Sequence, residues 1–373
     1  MIKKFICAFL ALISLASFAS CSEQKTVDVK KITLGASQLE DVKDKIDSAL
    51  DEADFSGGAF VSLNKNVIYD DYRGFESKDK KKTIGSSTRY QFSSLTKNIT
   101  GVATLQLADA KKLSLDDTLD NFFEVTPKRS YLKKTTVDQL LSFEVDLGNY
   151  AVEIVNDQKS YKKLAETINS GGDVKGLIRE HILDHGTEGE KSDPNSNYYL
   201  LGLIIEKVSG ESYKDYIKKN IFDRLKMTKT EVVSSKRPLS GYNVDKKEWR
   251  DENTTPLFNN YDFMFSSFGV TSVIGDMTRF FDAIIKNSLT KTNIIDEIEG
   301  FSTNYGYGFK HDGRNLFSIG GTSLHSSYAY INTETEELVV LCSNRTGNIK
   351  LTATGKAVYN AVNSKVNGIL LDN

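Results

Sequence analysis

Two groups of short strand-like runs lie at opposite ends of the chain, and a long, mostly helical stretch separates them. Residues 59–63 and 67–72 form the first group, and Asn64-Lys65-Asn66 between them predicts a hairpin. The second group comprises residues 305–309, 316–319, 327–331 and 337–342. This order predicts an α+β fold in which strands from both ends of the chain build one sheet and a helical lobe is inserted between them.

Apolar residues at helical spacing mark the segments outside these strands. We expect a helix to begin at Ser37, where Glu40 completes a capping box, and another to run from Ser94 to about Lys111. Further helical periodicity occurs at residues 136–142, 161–168, 196–208, 213–225, 273–285 and 351–362. The chain is therefore expected to form a sheet lobe from residues 37–93 and 265–373 and a helical lobe from residues 94–264.

The N-terminal segment differs from the rest of the chain. Lys3 and Lys4 precede an apolar run over residues 5–16, which is typical of a secretory signal and too short to be a stable membrane-spanning helix. Residues 18–21 (FASC) resemble a bacterial lipoprotein signal, in which the cysteine is lipidated and becomes the mature N-terminus. We expect a signal peptide over residues 1–20, a lipid on Cys21 and a tether over residues 21–36, with ordinary cleavage nearby as the alternative. The prediction is an exported lipoprotein anchored at the cell envelope membrane.

Charge and cysteine content restrict the possible partners and crosslinks. Acidic and basic residues are spread along the chain and nearly balance, to a net charge of −2, so we expect no nucleic-acid partner. The chain has three cysteines, and lipidation of Cys21 would leave no pair for an internal disulfide in the mature protein. Cys342 ends an apolar stretch and is expected to be a buried thiol.

Ser94 and Lys97 are the candidate nucleophile and base. A serine hydroxyl becomes a good nucleophile when a neighbouring base takes its proton, and a lysine can be that base if desolvation keeps it neutral. Only Ser94 follows an aromatic strand-like run and opens an apolar helix, where backbone N–H groups favour a developing oxyanion. The spacing alone is uninformative, because the same Ser-x-x-Lys pattern begins at Ser22, Ser62, Ser77, Ser130, Ser160 and Ser288.

Several further motifs accompany residues 92–97 (FSSLTK). They are residues 55–58 (FSGG), 113–117 (LSLDD), 198–206 (YYLLGLIIE), 269–272 (GVTS), 276–277 (DM) and 305–308 (YGYG). Together they resemble the serine β-lactamase superfamily over residues 52–345, most closely its class C branch and the related D-alanyl-D-alanine carboxypeptidases and esterases. The resemblance implies an antiparallel five-stranded sheet flanked by helices, an inserted helical lobe and an active site in the cleft between them. We expect no cofactor.

The second motif of this family, Tyr-x-Asn, is altered. It falls on Asp193-Pro194-Asn195, so the resemblance implies that Asn195 positions the substrate or the lysine. Asp193 replaces the tyrosine that relays protons between serine and leaving group in the family. A carboxylate close to Lys97 is expected to raise the pKa of the lysine. A shifted register over residues 195–197 (NSN) supplies no tyrosine either.

The third family motif, Lys-Thr-Gly or His-x-Gly, falls on Ser318-Ile319-Gly320 and lacks the cation or imidazole. The resemblance implies that a strand N–H group, that of Gly321, pairs with the Ser94 N–H group as an oxyanion hole. Residues 142–146 (SFEVD) also differ from the His-Thr-Ser-Gly run of many relatives.

The histidines give no clear metal site. His181 and His185 have the spacing of two zinc ligands on a helix, but no third ligand is evident, and both are expected at the surface. His325 falls in the turn after the third motif, where relatives usually carry an aromatic residue; a position at the cleft mouth is one alternative for it.

Two hypotheses about function remain open at this point. In the first, the protein is a membrane-tethered serine hydrolase with weakened activity, which forms an acyl-enzyme at Ser94 with short esters or with D-amino-acid or cell-wall peptides. In the second, it binds a cell-wall peptide, a small ligand or a protein partner without turnover. The retained Ser94, Lys97 and Asn195 slightly favour the first. A solute-binding lipoprotein is disfavoured, because it would need strands alternating with helices in two similar lobes.

Overall fold

The computed structural model describes residues 32–185, 193–233, 240–250, 257, 260–322, 324–346 and 351–371. The predicted signal peptide, Cys21 and most of the predicted tether lie outside the described residues. Among the residues that are described, no helix has the length and apolar character needed to cross a membrane.

The central sheet is antiparallel and combines strands from both ends of the chain. From one edge to the other, its strands are β2 (Asn66–Arg73), β1 (Gly57–Leu63), β12 (Glu337–Ser343), β11 (Ser326–Asn332), β10 (Asn315–Gly321), β9 (Phe309–Asp312) and β8 (Tyr305–Gly306). The N-terminal hairpin joins the C-terminal strands where β1 pairs with β12. Long-range pairing of this kind confirms the predicted α+β class.

The sheet has seven strands, whereas the sequence shows six strand-like runs and the family resemblance implies five strands. The expected run over residues 305–309 is split into β8 and β9 by a two-residue turn at Tyr307 and Gly308. Both turn residues have positive φ angles, +50° and +84°. Such a turn matches the twist of antiparallel strands and reverses the chain within two residues, so one expected strand becomes a short hairpin at the sheet edge.

Two small three-stranded sheets lie apart from the central one. In the first, β7 (Val270–Ser272) pairs with both β3 (Tyr90–Gln91) and β4 (Glu231–Val232). In the second, β5 (Gly241–Asn243) pairs with β6 (Glu248–Arg250) and with β13 (Arg345–Thr346). Strand β3 of the first sheet ends three residues before Ser94 and therefore helps to position it.

Helices cover both faces of the central sheet. Those of the chain ends are α1 (Ala36–Glu52) and α13 (Leu351–Leu371). The others are α2 (Thr96–Asp109), α3 (Leu119–Phe122), α4 (Val137–Leu141), α5 (Tyr150–Asn156), α6 (Gln158–Asn169), α7 (Val174–Glu180), α8 (Asn195–Ser209), α9 (Tyr213–Ile217), α10 (Tyr261–Phe268), α11 (Ile274–Ile285) and α12 (Ile294–Gly300). Short 3₁₀ or π-helical turns occur at Ser93–Leu95, Pro127–Lys134, His181–His185 and Lys218–Phe222.

Helices α1 and α13 pack on one face of the sheet. The predicted stripe on α1 is buried, with Val42, Ile46 and Leu50 facing the sheet core. The predicted capping box at Ser37 is wrong, because the helix begins one residue earlier, at Ala36. The Gln38 side chain accepts the hydrogen bond from the backbone N–H of Gly35 at 2.9 Å, so the glycine and not the serine is the residue that is capped.

Helix α2 lies at the centre of the second and larger core. Nearly all its residues from Thr96 to Leu107 are buried, polar ones included. The helix therefore packs against other elements on more sides than its apolar periodicity predicts. Gly101 permits close contact with the β8–β9 turn: a Cβ atom at this position would come within 2.8 Å of Tyr307 Cα. Because α2 is enclosed by α8, α10 and this turn, its N-terminal end is held in a fixed position.

Candidate active site

The chain makes a strained turn between β3 and α2, and Ser94 lies in this turn. Phe92 N–H donates to the Val270 carbonyl at 2.9 Å, and Thr96 Oγ1 accepts from Val270 N–H at 3.0 Å, so β7 holds both sides of the turn. Ser93, between them, has φ of +53°, an unfavourable conformation for a residue with a side chain. The turn leaves the Ser94 side chain partly exposed at the start of the helix.

Lys97 is next to Ser94 and almost completely buried. Its Nζ atom lies 2.7 Å from Ser94 Oγ, and 2% of the side chain is exposed. Burial lowers the pKa of the lysine below its ordinary value, because the charged ammonium loses its hydration. The structure thus supplies the desolvation that a lysine base requires.

Asp193 contacts the same lysine from the start of α8. Its Oδ1 atom lies 3.0 Å from Lys97 Nζ, and 39% of the side chain is exposed. The carboxylate raises the pKa of Lys97, as the sequence analysis expected, but the effect of burial is larger and the net shift is downward. The expected effect of the carboxylate is therefore confirmed in direction, and the depth of Lys97 in the core, which the sequence did not give, outweighs it.

Asn195 is buried two residues after Asp193. Its Nδ2 group donates to Asn149 Oδ1 at 3.1 Å, and its Oδ1 atom is buried without a hydrogen-bond partner. Asn197 is used differently, because its amide bonds the backbone of Leu140, Val145 and Leu147. Asn195 is therefore the asparagine adjacent to the Lys97–Asp193 pair, whereas Asn197 stabilises the neighbouring loop.

Ser318 lies on β10 facing α2, at the position of the missing family cation. The residue is buried, and its hydroxyl donates to Asn98 Oδ1 at 2.8 Å. Asn98 in turn donates from Nδ2 to the Tyr307 carbonyl at 3.2 Å. The hydroxyl thus ties the strand to the residue after Lys97, which makes its role in the described structure one of support.

Gly320 brings β10 against the Ser94 turn. A Cβ atom on this residue would lie 2.9 Å from Ser94 N and 2.7 Å from the Phe92 carbonyl oxygen, so only glycine permits this approach. A Cβ atom on Gly321 would meet nothing within 4 Å. Thr322 N–H donates toward β11, to His325 O at 2.8 Å. Since successive amides of a strand point in opposite directions, the Gly321 N–H points to the open edge of β10.

The histidines occupy positions that the sequence did not predict. His181 is not a surface residue: its ring is mostly buried, with Nε2 2.8 Å from Glu153 Oε2. His325 is fully buried, and its Nδ1 accepts from Gln91 N–H at 3.1 Å. The side chain of His185 lies outside the described residues. No group of three or more potential metal ligands occurs in the part of the chain that the structure describes.

The loop over residues 142–146 closes on the β8 strand. Phe143 has φ of +53° and packs edge-on against Tyr305, with 5.9 Å between ring centroids. The Ser142 carbonyl accepts from Thr303 Oγ1 at 2.5 Å. Cys342, as expected, is buried with a free thiol.

Sequence reasoning missed two residues that support the site. Asn98 follows Lys97 on a helix and joins α2 to β10, and Asn149 both caps α5 and holds the Asn195 amide. A cap residue before a helix is a recognisable signal for Asn149. Its second role depends on contact with a segment 46 residues away.

A partly exposed serine in contact with a buried lysine, at the start of a helix that follows a strand, is the arrangement of a serine hydrolase with a lysine base. The sequence matches the family described as Beta-lactamase over residues 42–363, and the chain therefore belongs to this family of serine hydrolases. This result confirms the resemblance on which the sequence analysis relied.

The curated relatives include proteins of two bacteria. The putative penicillin-binding protein PbpX of Bacillus subtilis is 24% identical over 372 residues, which cover 94% of this chain and 86% of that protein. Protein flp of Staphylococcus aureus is 30% identical over 215 residues, which cover 55% of this chain and 40% of that protein.

Solved structures share the fold at low sequence identity. D-amino acid amidase from Ochrobactrum anthropi aligns with a TM-score of 0.69 and 17% identity, over 87% of this chain and 99% of that chain. FmtA from Staphylococcus aureus aligns with a TM-score of 0.67 and 20% identity, over 86% of this chain and 88% of that chain. These similarities establish the α+β architecture independently of the motifs.

Proposed function

We propose that the protein is a serine hydrolase that forms an acyl-enzyme at Ser94. One observation carries this proposal: the buried Lys97 amine lies 2.7 Å from Ser94 Oγ and has a lowered pKa. A neutral amine at this distance accepts the hydroxyl proton as Oγ attacks a carbonyl carbon. The ammonium that forms is 3.0 Å from Asp193 Oδ1, which stabilises it during the step.

The oxyanion of the tetrahedral intermediate has two candidate donors. The Ser94 N–H group belongs to the turn before α2, and Gly320 brings β10 against it. The next residue, Gly321, points its N–H group to the open edge of the strand. Two backbone donors that converge on one carbonyl oxygen stabilise the charge that develops during attack.

The proton then leaves Lys97 with the product. The ammonium protonates the departing oxygen or nitrogen, and the acyl group remains on Ser94 Oγ. In deacylation a water molecule gives its proton to Lys97 and attacks the acyl carbon, and Lys97 returns the proton to Ser94 Oγ as the acid product leaves. Asp193 stands in place of the family tyrosine, so Lys97 is the proton donor that remains for the leaving group. Short esters are therefore the favoured substrates, because an alkoxide depends less than an amine on a fully delivered proton when it leaves. Peptides with D-amino acids or cell-wall peptides, as in a carboxypeptidase, are the slower class.

A second candidate function is binding without turnover. It is favoured by Ser318, which stands in place of the family cation and uses its hydroxyl to bond Asn98. Such a protein would hold a cell-wall peptide, a small ligand or a protein partner in the same cleft. A lysine that persisted only as an ion-pair partner of Asp193 would be consistent with this function.

The proposed location is the cell envelope, with the domain tethered through a lipid on Cys21. The FASC run that ends at Cys21 and the apolar run before it support this proposal. In cells that express the full chain, Cys21→Ser is expected to release the protein from the membrane fraction and to abolish incorporation of labelled fatty acid. A variant that remains in the membrane without lipid would contradict it.

Intact-protein mass spectrometry tests the catalytic proposal directly. The folded domain is incubated with a fluorophosphonate and, separately, with a penicillin, beside a Ser94→Ala control. An adduct that disappears in Ser94→Ala demonstrates an activated nucleophile. A folded wild-type protein that gains no mass from either reagent would exclude catalysis and leave the binding function.

A further inference from the structure

One wall of the candidate site carries hydrogen-bond acceptors without donors. Asp193 uses Oδ1 for the contact with Lys97, and its Oδ2 atom has no hydrogen-bond or ion-pair partner among the described residues. The side chain is 39% exposed, so the carboxylate is open to solvent on the side away from Lys97. A carboxylate oxygen in this position attracts a cation or an N–H donor.

Asn195 supplies a second acceptor from the same end of α8. The residue is only 7% exposed, and its Oδ1 atom is buried without a partner in the structure. The Nδ2 group is fixed by Asn149, so the orientation of the amide leaves oxygen as the unpaired atom. A buried acceptor that lacks a donor is unfavourable, and a ligand that brings an N–H group removes this cost.

The opposite wall offers no positive charge. From Ser318 to Gly321, β10 carries uncharged residues, and the Ser318 hydroxyl is directed to Asn98 Oδ1. Lys97 lies against Ser94 and Asp193 and offers no free counter-ion to a substrate. A substrate carboxylate would therefore meet an acidic wall and no counter-ion, which disfavours its binding.

We propose that Asp193 and Asn195 form a subsite for a substrate ammonium group, so that the preferred acyl donors are amino-acid esters or amides with a free amine next to the scissile carbonyl. The ammonium would donate to Asp193 Oδ2 and to Asn195 Oδ1, the two acceptors at this end of α8 that have no partner among the described residues. This proposal takes the position of the acyl group from the proposed function at Ser94. Donors with a blocked amine or with an acidic group at that position are disfavoured.

Two experiments separate this subsite from catalysis. In the first, calorimetry measures the binding of alanine amide, in each enantiomer, and of N-acetylalanine amide to the Ser94→Ala protein. The free amine is expected to bind about tenfold more tightly than the acetylated ligand, the scale of one charged hydrogen bond. The preference is expected to disappear in Ser94→Ala with Asp193→Asn and to persist with Glu166→Gln, which removes a charge from an exposed position of α6.

In the second experiment, active protein is supplied with the p-nitrophenyl esters of alanine and of N-acetylalanine. A change that Asp193 causes in Lys97 alters the acylation rates of both esters alike. The ratio of the two rates is therefore independent of that change. This ratio is expected to favour the free amine, to fall in Asp193→Asn and Asn195→Leu, and to decline as the pH rises through the pKa of an α-amino group, about 8.

The outcomes distinguish the two proposals. Equal or tighter binding of the acetylated ligand, or a preference unchanged by Asp193→Asn, overturns the ammonium subsite even if Ser94 is acylated. Amine-selective binding without any acylation supports the subsite and overturns the hydrolase. Absence of measurable binding of both ligands to a folded protein overturns the subsite.

Discussion

Lys97 Nζ lies 3.0 Å from Asp193 Oδ1. Asp193 occupies the position at which the resemblance to relatives predicts a tyrosine. The two residues differ sharply in environment, because the lysine is 2% exposed and the aspartate 39%. Burial favours the neutral amine, whereas the carboxylate favours the ammonium that forms during attack. Burial and the carboxylate therefore act in opposite directions on the pKa of the same amine.

Lys97→Met is expected to slow fluorophosphonate labelling of Ser94 by about 100-fold or more, because the general base is removed. Mass spectrometry over a time course measures the rate, and Lys163→Met on α6 is the matched control. Labelling at an unchanged rate would show that Lys97 is not the base.

The same Lys97→Met substitution is expected to stabilise the fold near neutral pH, by about 1 kcal/mol. A lysine whose pKa is lowered in the folded protein costs stability below that folded pKa, and the cost vanishes as the pH rises past 10.5, the value for a free lysine. Denaturant unfolding at neutral and at high pH should therefore show a gain at neutral pH that shrinks as the solution becomes alkaline. A variant less stable than wild type at neutral pH would contradict this account.

Asp193→Asn is expected to move the acidic limb of the labelling rate to lower pH. The carboxylate raises the pKa of Lys97, so its removal allows the lysine to lose its proton in more acidic solution. The measurement is the rate of Ser94 labelling across a pH series, with Glu166→Gln as the control for net charge. If the acidic part of the pH profile stays in place or moves to higher pH, the protonation of Lys97 does not control the labelling rate.

Gly320→Ala is expected to slow labelling by about 100-fold, the scale of one lost oxyanion donor, because its Cβ would come within 2.9 Å of Ser94 N and push β10 from the turn. Gly321→Ala is the matched control, since its Cβ meets nothing within 4 Å and its N–H group remains. Thermal unfolding of both variants verifies that they fold. An equal loss of labelling rate in the two variants would show that the close contact between Gly320 and the Ser94 turn is not what supports labelling.

Glu337→Leu is expected to raise the free energy of unfolding by about 1–3 kcal/mol near neutral pH. Both carboxylate oxygens of Glu337 are buried without a hydrogen-bond partner, and burial raises the pKa of this group well above its usual value. The buried Glu337 contributes most to the free energy of unfolding below pH 4.5, where it is protonated in both the folded and the unfolded state. This contribution is lost as the pH rises through the pKa of the folded state.

The gain from Glu337→Leu should therefore increase as the pH rises above 4.5. Urea unfolding across a pH series measures it, and Glu334→Gln, at an exposed position of the adjacent turn, is the control. A gain that is independent of pH would indicate that Glu337 does not titrate on unfolding.

Much of the fold was predictable because its signals are local. The hairpin of β1 and β2, the strands β10 to β12 and the start of α2 follow from short apolar runs and turn residues. The β8–β9 hairpin was missed because its turn is built on Tyr307-Gly308, and tyrosine gives no sequence signal for a positive φ angle. The first turn of α1 was misplaced by one residue because Gln38 caps Gly35 instead of Glu40 capping Ser37.

The sequence by itself determined the candidate nucleophile and base, since Ser94 and Lys97 are three residues apart on one chain segment and the family motifs surround them. The tertiary structure alone decided what surrounds them. Asp193 reaches Lys97, Asn149 holds Asn195, and Gly320 approaches Ser94 across long separations in the chain. Charge and hydrogen-bond interactions act through space, and desolvation depends on everything packed around a group, so the pKa of Lys97 and the acceptors beside it become defined only when the core closes.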